Sequence, residues 1–229
     1  MAELMTPQFW VAVVEIIAVN IVLSGDNAVV IALACRNLAQ RQRRQGILWG
    51  VLGAIVLRIV LTFFAMSLLV YPWLGLVGAA LLVWIGVKLI ADDDGGELRV
   101  KASDRLLTAV GTIIVADLVM SLDNVVAVAG AAKGSVPLLV FGLVVSIPIV
   151  IVGSQIIMRL IERFPAVVLA GGGLLGYIAG KMAVDDPVVK PWLDANASGL
   201  AELVPPVLFG LVVAGGVWRV RHRRAAGPR

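Results

Sequence analysis

Apolar stretches at residues 9–34, 47–70, 74–91, 106–132, 136–158, 166–184 and 203–220 each approach or exceed the roughly 17–25 residues that a helix needs to cross the hydrocarbon of a bilayer. A backbone in lipid has no water to satisfy its polar groups, so a chain with this pattern folds as a bundle of helices. A chain that is 60% hydrophobic and only 15% charged lies outside the range of soluble domains. The expected fold is all-α and polytopic, with seven transmembrane helices in a single domain over residues 1–229. No cationic region precedes the first stretch, and it is too long for a signal-peptide core, so it is expected to be retained as helix one. Cys35 is the single cysteine, which excludes an internal disulfide and a thiolate metal site.

The net charge of +4 is distributed as topology rather than as a nucleic-acid patch. Arg36, Arg41, Arg43 and Arg44 follow helix one, Arg99, Lys101 and Arg105 follow helix three, and Arg159 and Arg163 follow helix five. Arg219, Arg221, Arg223, Arg224 and Arg229 end the chain around His222, whereas the opposite loops carry Lys133, Lys181 and Lys190. The positive-inside rule therefore places the N-terminus outside and the C-terminus in the cytoplasm. The basic tail, residues 221–229, reads as an anchor for topology and anionic lipid, with no nucleic-acid partner expected.

The chain also repeats itself. An offset of 97 residues superposes Asn20-Ile21-Val22-Leu23-Ser24-Gly25-Asp26-Asn27 on Asp117-Leu118-Val119-Met120-Ser121-Leu122-Asp123-Asn124. An offset of 93 sets Tyr71-Pro72 on Phe164-Pro165, Gly78 on Gly171, Lys88 on Lys181 and Asp92-Asp93 on Asp185-Asp186. Repeat one is thus residues 9–91 and repeat two 106–184, joined by an acidic and basic cytoplasmic linker at 92–105. An external loop at 185–202 leads to an unpaired seventh helix at 203–220. Three crossings per unit invert the second copy relative to the first, and inverted repeats with matching polar interruptions point to a transporter site near the midplane.

Those interruptions are costly in lipid, where a charged side chain at the centre of a span is unfavourable by roughly 2.5 kcal/mol or more. Asn20, Ser24 and Asn27 share a helix face at spacings of four and seven, as do Asp117, Ser121 and Asn124. With Asp26 and Asp123 they supply carboxylate, amide and hydroxyl oxygens without sulfur or imidazole, a set suited to Mn²⁺, Mg²⁺ or Ca²⁺. Asp26 stands about 120° from Asn20 in a regular helix. Either the aspartates reach the site from its flank or the helix breaks, with Gly25 as the break and Ser24 or Asp26 as the cap. Glu15 lies on the Asp26 face, nearer the outside, as an accessory station. Arg58 is the one basic residue deep in a span, open to three roles: counter-ion to Asp26 or Asp117, electrostatic barrier to cations, or structural ion pair.

The paired motifs, the seven-helix plan and the length resemble the TerC family of integral membrane proteins, in particular its short bacterial branch of metal transporters related to the LysE-type exporters. The resemblance rests on residues 15–30, with Leu23-Ser24-Gly25-Asp26-Asn27-Ala28, and on residues 116–126, with Asp117 and Ser121-Leu122-Asp123-Asn124. It implies a multi-pass protein of the bacterial plasma membrane that exports Mn²⁺, with Asp26, Asp117 and Asp123 as the functional acids. Where some relatives carry an acid, this chain has Asn20, which removes one charge from the site.

The leading expectation is a secondary-active exporter of a hard divalent cation, Mn²⁺ first, with protons as coupling ion, lipid as its surroundings and no resident cofactor. A homodimer is compatible with it. The alternatives are a LysE-like exporter of amino acids or organic cations, for which Arg58 is the sole anion-binding candidate, and a non-transporting membrane partner that metallates exported proteins. An enzyme is not expected: the aspartates lack the Tyr-Asp and Gly-x-Gly-Asp contexts of intramembrane aspartyl proteases.

Overall fold

The computed structural model describes residues 26–68, 73–91, 102–131 and 136–225. Among these, regular structure is entirely helical: α1 Asp26–Cys35, α2 Gln40–Leu68, α3 Leu74–Ala91, α4 Ala102–Ala131, α5 Val136–Arg163, α6 Ala166–Asp185, α7 Val189–Asn196 and α8 Ser198–Ala225. Among the described residues, four helices are long and apolar enough to cross a membrane: Gln40–Leu61 within α2, α3, α6, and Gly199–His222 within α8. α4 and α5 have 30 and 28 residues, about 45 and 42 Å at 1.5 Å per residue.

The helices outrun the apolar stretches that mark them in sequence. α2 begins in the basic segment after α1, α4 begins inside the expected linker, and α5 continues to Arg163. Hydropathy marks only the part of a helix that suits hydrocarbon, while long basic side chains let the backbone ladder continue into the interface. The segment 185–202, expected as a loop, contains α7, whose eight residues are too few to cross a bilayer.

Glycine sets how closely these helices approach. A methyl at Gly50 would lie 2.6 Å from Ile113 Cδ1, and one at Gly53 2.6 Å from Ile114 Cδ1, so α2 and α4 pack side by side and run in the same direction. On α6 the contact with α8 reaches backbone. A methyl at Gly176 would meet the Leu208 carbonyl oxygen at 2.5 Å, and one at Gly180 would meet Pro205 Cα at 2.4 Å. α6 also packs antiparallel to α3, where Gly86 faces the Gly172 carbonyl. Gly172, Gly176 and Gly180, spaced by four along α6, therefore form the seam at which α3, α6 and α8 converge. Ala32, Leu82, Ala116, Leu175 and Ala179, all fully buried, tie α1, α3, α4 and α6 into one core.

Two polar junctions close the ends of the bundle. Arg43 donates from Nε to the Leu38 carbonyl at 2.9 Å and from Nη2 to the Arg36 carbonyl at 2.7 Å. It also pairs with Glu162 near the end of α5. An arginine read as a topological charge thus satisfies carbonyls beyond the C-terminus of α1 and links that end to α5. At the opposite end, Asp186 is 2% exposed, accepting the Val188 N–H at 3.0 Å on one oxygen and the Leu76 N–H at 3.3 Å on the other. The first N–H groups of a helix lack intrahelical partners, so Asp186 caps α3 from the junction of α6 and α7. Trp73, with φ of 71°, turns the chain immediately before this capped end. Beside it, Lys190 donates to Asp185 at 3.0 Å, a hydrogen bond that raises the Lys190 ammonium above its ordinary value; both partners are exposed, so the pair adds little stability.

Cys35 is fully buried, and a methyl at Gly46 would lie 3.0 Å from its Sγ. As the sole thiol of the chain it reports directly on the α1–α2 contact. A membrane-permeant maleimide is expected to leave native protein unlabelled over minutes and to label it fully in SDS. Rapid native labelling would show that this contact opens.

Candidate functional site

The centre of the bundle holds a closed polar ring between α2 and α4. Arg58 on α2 donates from Nη2 to Asp117 Oδ1 at 2.7 Å and from Nε to Ser121 Oγ at 3.0 Å. Ser121 Oγ in turn donates to Asp117 Oδ2 at 3.1 Å. The arrangement follows from sequence at each step. Asp117 and Ser121 are four residues apart on one face of α4, while Gly50 and Gly53 let α2 approach closely enough for Arg58 to reach them. Arg58, Asp117 and Ser121 are all buried. Two charges removed from water need each other and need their remaining hydrogen-bonding capacity filled; the serine hydroxyl does both, accepting from the cation and donating to the anion.

The ring faces a cavity of about 30 Å³, room for a water or two or for a bare small cation. Its wall is formed by Asn27, Val30 and Ile31 of α1, Val51, Ala54, Ile55 and Arg58 of α2, Ile113 and Asp117 of α4, and Val150 of α5. The wall is mostly aliphatic, so its few polar atoms act with little solvent screening. Among the described residues, the Oδ1 atom of Asn27, a member of this wall, is buried and has no hydrogen-bond partner. An orphaned buried carbonyl oxygen is unusual in a folded protein, and a water or an ion could satisfy it.

Asp26 does not line this cavity. It is half-buried, its carboxylate accepts the Asn27 backbone N–H at 2.8 Å, and its charge lies within electrostatic reach of both Arg58 and Asp117. Neither of the two routes open in sequence is decided among the described residues: Gly25 and Ser24, the expected break and cap, lie outside them, as do Asn20 and Glu15. Asp123 and Asn124 fall on the helical backbone of α4, with side chains outside the described set. Asn27 and Asp117, members of the two oxygen-rich faces, line one cavity from opposite helices. Among the described residues, no three Asp, Glu, His or Cys side chains gather as a metal cluster. Among the acids open to Arg58 in sequence, the structure pairs it with Asp117, a geometry that serves a counter-ion and a structural ion pair alike.

Pro148 sits within α5, and the Gln155 side chain is exposed, away from the cavity wall. Ser154, beside it, is the buried polar residue, returning its hydroxyl to the Ile151 carbonyl at 2.9 Å. Lys88, read as a snorkelling side chain, lies 5.3 Å from the ring centre of Trp84.

A buried Arg-Asp-Ser ring on a helical membrane scaffold, beside the repeated Asp-Asn motif, can be compared with known proteins. Residues 5–224 match the integral membrane protein TerC family. The chain is 40% identical over 204 residues to the uncharacterized membrane protein YjbE of Bacillus subtilis (strain 168), covering 89% of this chain and 92% of that one. It is 27% identical over 186 residues to the uncharacterized membrane protein YceF of the same strain, covering 77% and 72% respectively. It is 25% identical over 179 residues to the UPF0053 inner membrane protein YgdQ of Escherichia coli (strain K12), covering 70% and 75%. No solved structure matches. A family match that spans α1 to α8 and both Asp-Asn motifs, with a relative aligned over almost its whole length, makes this multi-pass chain a member of the integral membrane protein TerC family.

Proposed function

We propose that the protein is a secondary-active transporter, not an enzyme, that exports a hard divalent cation, Mn²⁺ first, through the cavity between α1, α2 and α4. The observation that carries this reading is a small cavity lined by both Asp117 and Asn27, whose buried Oδ1 atom has no hydrogen-bond partner among the described residues. Oxygen donors alone favour Mn²⁺ or Mg²⁺ over softer ions. The antiparallel α3–α6 contact is the pairing that an inverted repeat would place on its twofold axis, and it supports alternating access of the two repeats. Protons entering from outside are the proposed coupling ion, and the bacterial plasma membrane is the proposed location, with the C-terminus cytoplasmic.

In an exporter-deficient bacterium challenged with manganese, the native protein is expected to lower total cellular manganese several-fold. Asp26→Asn and Asp123→Asn forms at matched membrane abundance should not lower it. Collapsing the proton gradient should slow efflux from loaded vesicles. Unchanged manganese with the native protein would remove Mn²⁺ export; metal binding without flux in liposomes would favour a membrane partner that metallates exported proteins.

A further inference from the structure

Asp117, the acid best placed to receive a cation in the cavity, already holds one. Its Oδ1 is taken by Arg58 Nη2 at 2.7 Å, and its Oδ2 by the Ser121 hydroxyl. We propose that Arg58 is a tethered competitor for the substrate: a divalent cation enters the site only by displacing the guanidinium from Asp117. The inference rests on the reading of this cavity as a cation site, and it assigns the origin of selectivity there.

Charge and hydrogen bonding decide which ions can make the exchange. With Asp26 and Asp117 ionised and Arg58 present, the group carries one net negative charge. A monovalent ion offers Asp117 no more charge than the guanidinium already there, and it lacks the donors that Arg58 directs at Asp117 and Ser121. A dication brings twice the charge, and it finds the Asn27 Oδ1 atom unengaged across the cavity. Sodium and potassium, abundant on one side of the membrane or the other, are therefore excluded by an internal cation rather than by pore size. The same competition aids release: once the metal leaves, the arginine reoccupies Asp117 and no bare carboxylate remains in the apolar wall.

Ser121 separates displacement from a simple field effect. Its hydroxyl fastens the guanidinium to the carboxylate without contributing net charge. Removing it loosens Arg58 while leaving the charge of the site intact.

The test is Mn²⁺ binding to the purified full chain in nanodiscs, read by loss of the free-ion electron paramagnetic resonance signal, with and without sodium at physiological ionic strength. Arg58→Gln is expected to bind about tenfold or more tightly than native protein, the scale of one charge-assisted hydrogen bond. Its binding should also become sensitive to sodium. Ser121→Ala should bind about threefold more tightly, and Arg58→Lys should remain within about threefold of native because it keeps the competing charge. Equal or weaker binding by Ser121→Ala would overturn displacement, even if Arg58→Gln binds more tightly through its lost charge, and would leave the cation site standing. Absence of binding by native protein and every variant would remove the cation site itself, and the inference with it. Should Arg58→Gln fail to fold, Ser121→Ala and Arg58→Lys carry the same decision.

Discussion

Asp117→Ala is expected to lower stability by roughly 3–5 kcal/mol, the range for removing one partner of a buried ion pair, and to reduce manganese efflux to background. The guanidinium of Arg58 loses the carboxylate that offsets its burial, and Ser121 loses the acceptor of its hydroxyl proton. Asp117→Asn keeps the volume and an acceptor oxygen, so it should cost less stability yet abolish efflux equally. Replacing both charges, in Asp117→Ala with Arg58→Met, should recover most of the lost stability, because apolar groups of similar size satisfy this environment without pairing. Thermal unfolding in detergent, followed by size-exclusion chromatography, measures all three. A single mutant as stable as native protein would mean that the ring is open to water, contrary to the burial of its three members.

The second large effect is steric. Gly180→Leu should abolish the folded bundle or cost more than about 3 kcal/mol, because the obstruction is backbone and no rotamer relieves it. A methyl at that position already meets Pro205 Cα at 2.4 Å, and Val204 and Pro205 cannot withdraw without parting α8 from α6. Gly111 on α4 is the internal control: a methyl there meets nothing within 4 Å. Gly111→Ala should be neutral or stabilising by up to about 1 kcal/mol, through helix propensity alone. If Gly180→Leu and Gly111→Ala melted together at the native temperature, the α6–α8 seam would not be a tight contact.

The sequence was most readable where one helix face carries the information. The spacing of Asp117 and Ser121 placed both on one side of a helix, and the structure closes them into a single ring. The partner of Arg58 was not readable, because two acids stood at suitable depth and the choice depends on how closely α2 meets α4. The glycines that set this approach, Gly50 and Gly53, look unremarkable in a chain with 24 glycines. Asp186 was read only as one half of a repeated Asp-Asp pair, since a cap across 110 residues leaves no local signature. α7 escaped for a different reason: an eight-residue interfacial helix has neither the length nor the apolarity that marks a span.

The cap made by Asp186 also bears on how such a molecule could move. It fastens the start of α3 to the end of α6, and the glycine seam fastens α6 to α8, so three helices are riveted along their length and at one rim. α2 and α4 form a second slab, bound to each other by Gly50, Gly53 and the Arg58 ring. Among the contacts between the slabs, that of Gly78 with Val119 sets a bare backbone against a short aliphatic side chain. Under the proposed alternating access, this contact, two residues along α4 from Asp117, is where the slabs would slide with little to unhook.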